Sequence, residues 1–311
     1  MTSVYVFPGQ GSQKVGMGKE IHDAFPEARL VFEEIDDVLN QNLSKIIFSG
    51  SESDLNLTYN TQPALMAVSL AIFRVMEKAL GDRIESIHSF AGHSLGEYSA
   101  LAAAGVLSIA DTAKLLRIRG KAMQDAVPIG EGAMAAILGM PQNELEDVLT
   151  ASRRGQTCSI ANDNCAGQLV ISGHLEAVER AMQLADKQGA RKCIMLPVSA
   201  PFHCSLMAPA AVKMAEALNE VTFSSPLKPI LTNVTADFEQ DTTKIRHNLV
   251  EQVTGQVRWR ESIEKLIDVG VTQLVEVGAG RVLTGLNKRI IPDALAISIQ
   301  TPHDLDTFFQ S

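Results

Sequence analysis

Short apolar strands alternate with helical segments along most of the chain, and this alternation constrains its fold more than any other feature. Residues 4–7 and 86–91 are apolar runs that end in turns and are followed by helical patterns. Neighbouring parallel strands need long crossover connections, which helices usually supply, so the order predicts an α/β fold with a parallel sheet covered by helices. Further helices are predicted at residues 22–39, 62–80, 97–104, 109–126, 208–220 and 259–269, and further strands at 230–233 and 272–277.

The middle of the chain has a different order of predicted strands and helices. Four predicted strands and two predicted helices follow one another there in the order β-α-β-β-α-β, which is typical of a ferredoxin-like unit. We therefore expect a small ferredoxin-like domain at residues 128–197, inserted into a large domain made of residues 1–127 and 198–311. The strands are predicted at residues 132–138, 157–161, 168–172 and 190–196, and the helices at 142–153 and 175–188.

Composition excludes several classes of function. The 311 residues are 46% hydrophobic and 20% charged, as expected for a well-packed interior. No apolar run is long enough to cross a bilayer and the start does not read as a secretory signal, so we expect a cytoplasmic protein that does not bind membranes. The formal net charge of −9 argues against nucleic acid as a partner. The four cysteines have neither C-x-x-C nor zinc-finger spacing, so we expect reduced, buried thiols and no metal site.

The strongest chemical motif is a candidate nucleophile. Residues 92–96 read GHSLG and fit the pattern G-x-S-x-G, between the predicted strand 86–91 and the predicted helix 97–104. Such a turn places the hydroxyl of Ser94 at a helix N-terminus, where free N–H groups and the helix dipole favour developing negative charge. A chance match in a glycine-rich loop is the alternative. The context favours an α/β-hydrolase-like large domain with Ser94 as its nucleophile.

A serine hydroxyl needs a base, and His203 is the best candidate among the seven histidines. It lies in a loop just past the inserted domain, whereas His93 adjoins Ser94 on the turn and is expected to give structural support. His174 is expected to cap a helix of the small domain, and Cys204 lacks a comparable turn and is expected to be a buried thiol. No acidic residue stands where a hydrolase triad needs one, which predicts a Ser-His dyad with a backbone or amide oxygen fixing the imidazole tautomer.

Several motifs together point to one family. They are FPGQGSQ at residues 7–13, TQPA at 61–64, GHSLGEY at 92–98, RGKAM at 119–123, the loop around His203, and EVGAG at 276–280. On these residues, and almost from end to end, the chain resembles malonyl-CoA:acyl carrier protein transacylase of bacterial type II fatty acid synthesis.

The resemblance implies a role for each matching residue. Ser94 would carry the malonyl ester and His203 would be its base. The backbone N–H groups of Gln10 and Leu95 would hold the oxyanion, and the backbone carbonyl of Gln252 would orient the histidine.

The resemblance also implies how the acyl group is chosen. Arg119 would pair with the free malonyl carboxylate, which a planar guanidinium can grip through two parallel hydrogen bonds. Without the resemblance, Arg119 would be read as a solvated arginine on a helix, and Arg117 is expected to face elsewhere on that helix. Phe202, just before the histidine, would fill the space of an α-methyl group.

The implied reaction is a ping-pong transfer from malonyl-CoA to the thiol of acyl carrier protein, by a monomer without a metal or other cofactor, in the cleft between the two domains. Two alternatives stay open from the residues themselves. One is a thioesterase or esterase that uses Ser94, and the other is a non-catalytic module that binds acyl-CoA or a carrier protein.

Because the carrier protein is expected to be acidic, we also expect a local basic surface near the cleft, although each of its residues taken alone is more often an ordinary solvated charge. The candidates are Lys187, Arg191, Lys192, Arg281, Lys288 and Arg289.

Overall fold

The computed structural model describes residues 2–198 and 200–310 of the chain. In chain order, its strands are β1 Ser3–Phe7, β2 Ile87–Gly92, β3 Gly132–Leu138, β4 Cys158–Cys165, β5 Gln168–His174, β6 Lys192–Met195, β7 Ile230–Leu231, β8 Phe238–Glu239, β9 Gln273–Val277 and β10 Leu295–Ile299. The α-helices are α1 Lys19–Ala24, α2 Pro26–Leu39, α3 Leu43–Ser49, α4 Glu52–Asn56, α5 Thr58–Leu80, α6 Leu95–Ala103, α7 Ile109–Asp125, α8 Gln142–Arg153, α9 Leu175–Lys187, α10 Ala208–Asn219, α11 Thr242–Thr254, α12 Trp259–Asp268, α13 Val282–Ile290 and α14 Pro302–Gln310, with 3₁₀ turns at Gly81–Ser86 and Ser205–Met207.

The larger sheet has six strands in the order β10-β9-β1-β2-β7-β8. All neighbours in it pair in parallel except β7 and β8, which are antiparallel. The central strand β1 is buried along its whole length, since Tyr5 and Phe7 face one core and Val4 and Val6 face another on the opposite side. The predicted α/β class is confirmed, with a sheet that is parallel except at one edge.

The second sheet is antiparallel and has the strand order β4-β5-β3-β6. With α8 and α9 it follows the predicted sequence of elements, and it has a separate core of side chains such as Ile137, Leu145 and Val178. The predicted bounds of β3 and α8 agree with the structure to the residue. The division of the chain at residues 128 and 197 stays a prediction.

The small sheet is tied to the rest of the chain by backbone pairing between β4 and the segment that joins α11 to α12. The N–H of Asp163 in β4 donates to the carbonyl of Val257 at 2.9 Å, and the N–H of Val257 donates to the carbonyl of Ala161 at 2.8 Å. A salt bridge of 2.7 Å between Asp163 and Arg260 of α12 supports this junction. The cleft between the sheets therefore has one wall fixed by hydrogen bonds.

Some predicted elements were wrong in detail. The single helix expected at residues 22–39 is two helices, because Phe25 is extended and Pro26 starts α2. A residue before proline is driven out of the helical region, and proline suits the first position of a helix. The strand expected at residues 230–233 ends at Leu231. Elements that were not predicted are α3, α4, α11, α13, α14, β8 and β10.

The expected cap at His174 is confirmed in its position but not as a side-chain hydrogen bond. His174 occupies the N-cap position of α9, but its side chain makes no capping hydrogen bond. Its Nδ1 instead accepts a hydrogen bond of 3.0 Å from the backbone N–H of Thr157. The ring therefore ties β5 to the start of β4 within the small sheet.

Candidate active site

The turn between β2 and α6 holds Ser94 in a strained backbone conformation. Ser94 is the N-cap of α6, with φ 54° and ψ −112°, a region that side-chain-bearing residues seldom occupy. A Cβ on Gly96 would lie 2.2 Å from the carbonyl oxygen of Phe7, and one on Gly92 would lie 1.9 Å from the carbonyl oxygen of Gly96. The flanking glycines therefore permit the close backbone contacts that present Ser94 at the helix N-terminus.

His203 lies against this serine, although 109 residues separate them in the chain. Its Nε2 is 2.7 Å from Ser94 Oγ, and its Nδ1 is 2.8 Å from the backbone carbonyl oxygen of Gln252 and 3.2 Å from that of Gly255. A carbonyl oxygen only accepts, so Nδ1 carries the proton and the Nε2 lone pair faces the hydroxyl. This is the dyad geometry, with a carbonyl in the place of a triad acid.

The electrostatic surroundings keep this imidazole neutral. His203 is 4% exposed, and burial together with the Arg119 charge lowers its pKa to about 3. The neutral ring has a free lone pair at ordinary pH, as a proton acceptor requires.

Arg119 of α7 is a buried cation that faces the same hydroxyl. Its side chain is 1% exposed, and its Nη2 lies 3.2 Å from Ser94 Oγ and 2.9 Å from Gln252 Oε1. Its Nη1 donates to Gln62 Oε1 at 2.8 Å, and the guanidinium lies over the ring of Tyr98. Among the described residues no carboxylate forms a salt bridge with it. A buried charge held only by neutral amides and hydroxyls is suited to receive an anion in the cleft.

Gln10 and Leu95 both line the cleft beside Ser94. Gln10 follows β1 in the loop at residues 8–12, and Leu95 is the first residue of α6. Within residues 2–198 and 200–310, neither the N–H of Gln10 nor that of Leu95 donates a hydrogen bond. A Cβ on Gly9 would lie 2.6 Å from the carbonyl oxygen of His93, so this glycine brings the loop close to the turn. Two free donors beside a hydroxyl nucleophile form a geometry suited to an oxyanion.

The cleft between the two sheets has a volume of about 490 Å³. Its walls include the side chains named above together with Phe202, which is 8% exposed, and residues 196–198, which lead out of the small sheet. The structure thus places the predicted residues Gln10, Ser94, Leu95, Arg119, Phe202 and His203 around one cleft, with Gln252 behind them.

Three further side chains of the site were not predicted. Asn233 Oδ1 accepts from the N–H of Ser94 at 2.7 Å, and its Nδ2 donates to the carbonyl oxygen of Gly92 at 2.7 Å. Glu97 accepts from the N–H of Asn233, and Asn164 Oδ1 lies 2.8 Å from His93 Nε2. Glu97 lies within the quoted motif GHSLGEY, whereas both asparagines come from other parts of the chain.

Two residues near the site point away from the hydroxyl. Arg117 contacts Gln41 and Asn60, on another side of α7 from Arg119. Cys204 is buried, its Sγ lies 3.1 Å from the carbonyl oxygen of Pro201, and burial raises the pKa of its thiol. A thiol held protonated in this way is a poor nucleophile.

In the part of the chain that the structure describes, no group of His, Cys, Asp and Glu side chains is arranged to hold a metal ion. None of the described helices combines the length and the apolar character that crossing a membrane requires.

Comparison with known proteins agrees with this site. Residues 4–295 match the family model described as an acyl transferase domain, so the chain belongs to the acyl transferases. The malonyl CoA-acyl carrier protein transacylase of Bacillus subtilis (strain 168) is 45% identical over 308 residues, which are 99% of this chain and 96% of the relative. The chain therefore belongs to the malonyl CoA-acyl carrier protein transacylase family, and the resemblance seen in its motifs is confirmed.

Solved structures show the same relationship. The crystal structure of acyl-carrier-protein-S-malonyltransferase from Bartonella henselae is 50% identical and superposes with a TM-score of 0.97, covering 100% of this chain and 99% of that one. A malonyl-transacylase in complex with its type II PKS acyl-carrier protein is 43% identical with a TM-score of 0.96, covering 100% of this chain and 99% of that one.

Proposed function

We propose that the chain transfers a malonyl group from malonyl-CoA to the phosphopantetheine thiol of acyl carrier protein through an ester on Ser94, and so supplies malonyl carrier protein for fatty acid biosynthesis. One observation carries this proposal. Ser94 Oγ lies 2.7 Å from a neutral imidazole and 3.2 Å from a buried guanidinium that has no carboxylate partner among the described residues. A base and an anion site converge on one nucleophile.

In the first half-reaction His203 Nε2 accepts the proton of Ser94 while Oγ bonds to the thioester carbonyl carbon. The C–S bond then breaks, and the CoA sulfur leaves with the proton that the imidazolium returns. Gln252 and Gly255 stabilise the imidazolium through their backbone carbonyls, because both accept from Nδ1. The products are free CoA and malonyl-Ser94.

In the second half-reaction the carrier protein's phosphopantetheine thiol takes the place of CoA. His203 accepts the thiol proton, the sulfur attacks the ester carbonyl, and the C–O bond to Ser94 breaks as the proton returns to Oγ. The bonds formed and broken are the same as in the first half. A thioester is exchanged for a thioester, so we expect the overall transfer to be nearly reversible.

The N–H groups of Gln10 and Leu95 are proposed to hold the oxyanion in both halves. Both flank the hydroxyl at the carboxyl edge of the parallel sheet, and Leu95 adds the positive end of the α6 dipole. Loss of one such donor typically costs about 3 kcal/mol of transition-state stabilisation.

Arg119 is proposed to bind the malonyl carboxylate. The guanidinium contacts Ser94 Oγ in the free enzyme, which places it within one acyl group's length of the attacking atom. Phe202 forms part of the cleft wall next to His203 and is proposed to limit space near the α-carbon. A methyl group more or less changes such selectivity by only about 1–3 kcal/mol.

Transfer also requires that water be kept from the ester. The buried dyad and the apolar side chains Met123, Met134 and Phe202 at the cleft favour transfer over hydrolysis. A thioesterase would release malonate without a thiol acceptor, and a non-catalytic module would form no ester at all. These two alternatives differ from the proposal in what happens to the malonyl group after it meets the enzyme.

We propose that the acidic carrier protein binds a basic surface near the cleft; a similar malonyl-transacylase is solved in complex with its own carrier protein. Charge reversal of the true contact residues should raise the KM for carrier protein and leave that for malonyl-CoA unchanged. Equal effects on both substrates would count against this surface. Its six exposed residues are Lys187, Arg191, Lys192, Arg281, Lys288 and Arg289.

The proposal also covers the two structural units of the chain and its state in the cell. We describe the large unit, residues 1–127 and 198–311, as α/β-hydrolase-like, and the inserted unit, residues 128–197, as ferredoxin-like. We expect a cytoplasmic monomer that needs no cofactor and binds neither nucleic acid nor membranes. The chemical support is that each step above uses only side chains and backbone groups of this chain.

The test is intact-protein mass spectrometry after mixing with malonyl-CoA or acetyl-CoA. Wild type should form a malonyl adduct and the Ser94→Ala variant none. The Arg119→Ala variant should acquire malonyl about 100-fold more slowly, through loss of charge-assisted hydrogen bonds of about 3 kcal/mol, and lose its preference over acetyl.

The matched control is Arg117→Ala, because Arg117 lies on the same helix and points away from Ser94. It should keep the malonyl preference of wild type. Equal loss in both arginine variants, or an adduct on Ser94→Ala, would contradict the proposed roles.

A further inference from the structure

Glu97 is a buried carboxylate directly behind the nucleophile. It lies three residues after Ser94 in the first turn of α6 and is 1% exposed. Its Oε2 accepts from Gln252 Nε2 at 2.7 Å and from the N–H of Asn233 at 3.1 Å. Its Oε1 has no hydrogen-bond partner among the described residues. Burying a carboxylate costs free energy unless the charge is paired and its oxygens are hydrogen-bonded.

Gln252 links this carboxylate to Arg119. Its Nε2 donates to Glu97 and also to the carbonyl oxygen of Ser94 at 3.1 Å, while its Oε1 accepts from Arg119 Nη2 at 2.9 Å. A carboxylate can only accept and a guanidinium can only donate, so a single orientation of the amide satisfies both neighbours. The flipped amide would place NH₂ against the guanidinium and oxygen against the carboxylate.

The same glutamine also contacts the base, because its backbone carbonyl accepts from His203 Nδ1 at 2.8 Å. Reorienting the Gln252 amide by its side-chain torsions would therefore change the contact with Arg119 and leave the main-chain contact with His203 in place. Burial raises the pKa of Glu97 to about 7, and hydrogen bonds from Gln252 and Asn233 and the charge of Arg119 oppose that rise. The carboxylate and the guanidinium thus interact without a direct salt bridge.

We propose that Glu97 is a positioning residue that fixes the Gln252 amide with its oxygen toward Arg119, and so holds the guanidinium beside Ser94 for the acyl carboxylate. The inference rests on the proposed function, because it assigns Glu97 a part in choosing the acyl group. Glu97 itself touches neither the hydroxyl nor the imidazole.

The chain offers a matched control in a second buried carboxylate, Glu276. Its oxygens accept from the N–H of Leu283 at 3.0 Å and from the N–H and Oγ1 of Thr284 at 2.7 Å each, at the start of α13. Glu276 is 0% exposed, so its burial matches that of Glu97, but its partners belong to another strand-helix unit.

The experiment measures kcat and KM for acylation of the full chain by malonyl-CoA and by acetyl-CoA, using rapid quenching and intact-protein mass spectrometry. For Glu97→Leu we expect the malonyl-to-acetyl ratio of kcat/KM to fall about 10-fold or more, with acetyl transfer within about 3-fold of wild type. For Glu97→Gln, whose amide oxygen can still accept both hydrogen bonds, the ratio should stay within about 3-fold. Glu276→Leu should lower stability and leave the ratio unchanged.

An unchanged ratio in Glu97→Leu, or an equal loss for both acyl groups, would overturn the inference. If Glu97→Leu does not fold, Glu97→Asp replaces it, since the shorter side chain withdraws the carboxylate from Gln252, and the same fall in ratio is expected. Wild type is measured alongside. Failure of wild type to form a malonyl adduct would refute the proposed function, whereas a normal wild type with a normal Glu97→Leu ratio would refute this inference alone.

Discussion

Two strand-turn-helix units stand on either side of β1 in the large sheet, and they differ in how their polar atoms are satisfied. In the β9–α13 unit, the carboxylate of Glu276 accepts three hydrogen bonds from the first turn of the helix. In the β2–α6 unit, Ser94 has a φ of 54°, and Glu97 Oε1 and Ser99 Oγ have no hydrogen-bond partners in the described part of the chain.

The two units have similar elements, but one contributes mainly to the stability of the fold and the other carries the candidate site. Hydrogen-bonded buried groups stabilise a fold, whereas strain and unpartnered polar atoms cost free energy and persist mostly where a site needs them. In the β9–α13 unit the buried carboxylate at the turn is fully hydrogen-bonded, and the unpartnered Nδ2 of Asn287 lies further along α13. The β2–α6 unit carries the strain and the open polar groups, and the cleft lies above it.

The largest expected effect comes from removing the base. His203→Asn should slow acylation of Ser94 by about 10³-fold, because the hydroxyl then loses its proton acceptor. Rapid-quench mass spectrometry with malonyl-CoA measures the rate. The acylation rate of His174→Asn, in the small sheet, should stay within about 3-fold of wild type. A comparable loss of rate in both variants would contradict a specific role of His203 as the base.

A pair of glycine substitutions sharpens the comparison between the two units. Gly96→Ala should lower the free energy of unfolding by about 3 kcal/mol or more, because its Cβ would lie 2.2 Å from the Phe7 carbonyl oxygen. Gly285→Ala in α13 meets no atom within 4 Å and should raise it by about 0.5–1 kcal/mol through helix propensity. Urea unfolding measures both. Equal effects would mean that the two turns are equally tolerant.

The dyad should also make stability depend on pH. Burial lowers the pKa of His203 from 6.5 to about 3, so the unfolded chain binds a proton that the folded one does not, and stability is lost as pH falls from 6.5 toward 3. Between pH 7 and pH 4, wild type should lose about 3 kcal/mol more than His203→Asn. Glu97 has a raised pKa, whose contribution runs the other way, but it is present in both proteins.

Urea titrations at pH 7 and pH 4 test this difference. If wild type and His203→Asn lost the same stability on acidification, the imidazole would not be held neutral by the fold.

Much of the fold follows from local pattern. The bounds of β3 and α8 were predicted to the residue, because β3 is a short apolar run between turn residues and the apolar residues of α8 recur at helical spacing. The chain after residue 277 was predicted less well, since β10 and α14 lie at the edge of the sheet, where burial is partial and the pattern is weak.

The site could be predicted only where a motif is local. The sequence around Ser94 indicates the turn, but nothing in it sets the distance to His203 or to Arg119. The role of Gln252 in orienting the histidine was implied only by the family resemblance, and the helix α11 that carries it was not predicted. Asn233 was missed because its importance comes from a tertiary contact with the N–H of Ser94.

The most direct test of the account follows the malonyl group itself. Enzyme loaded with one equivalent of labelled malonyl-CoA is freed of CoA, digested to locate the label, and in parallel mixed with holo acyl carrier protein or with buffer. We expect the label on the peptide that contains Ser94, rapid transfer of the malonyl group to the carrier protein's thiol, and slow loss of the group to water. Label on any other residue, or release to buffer as fast as to carrier protein, would contradict it.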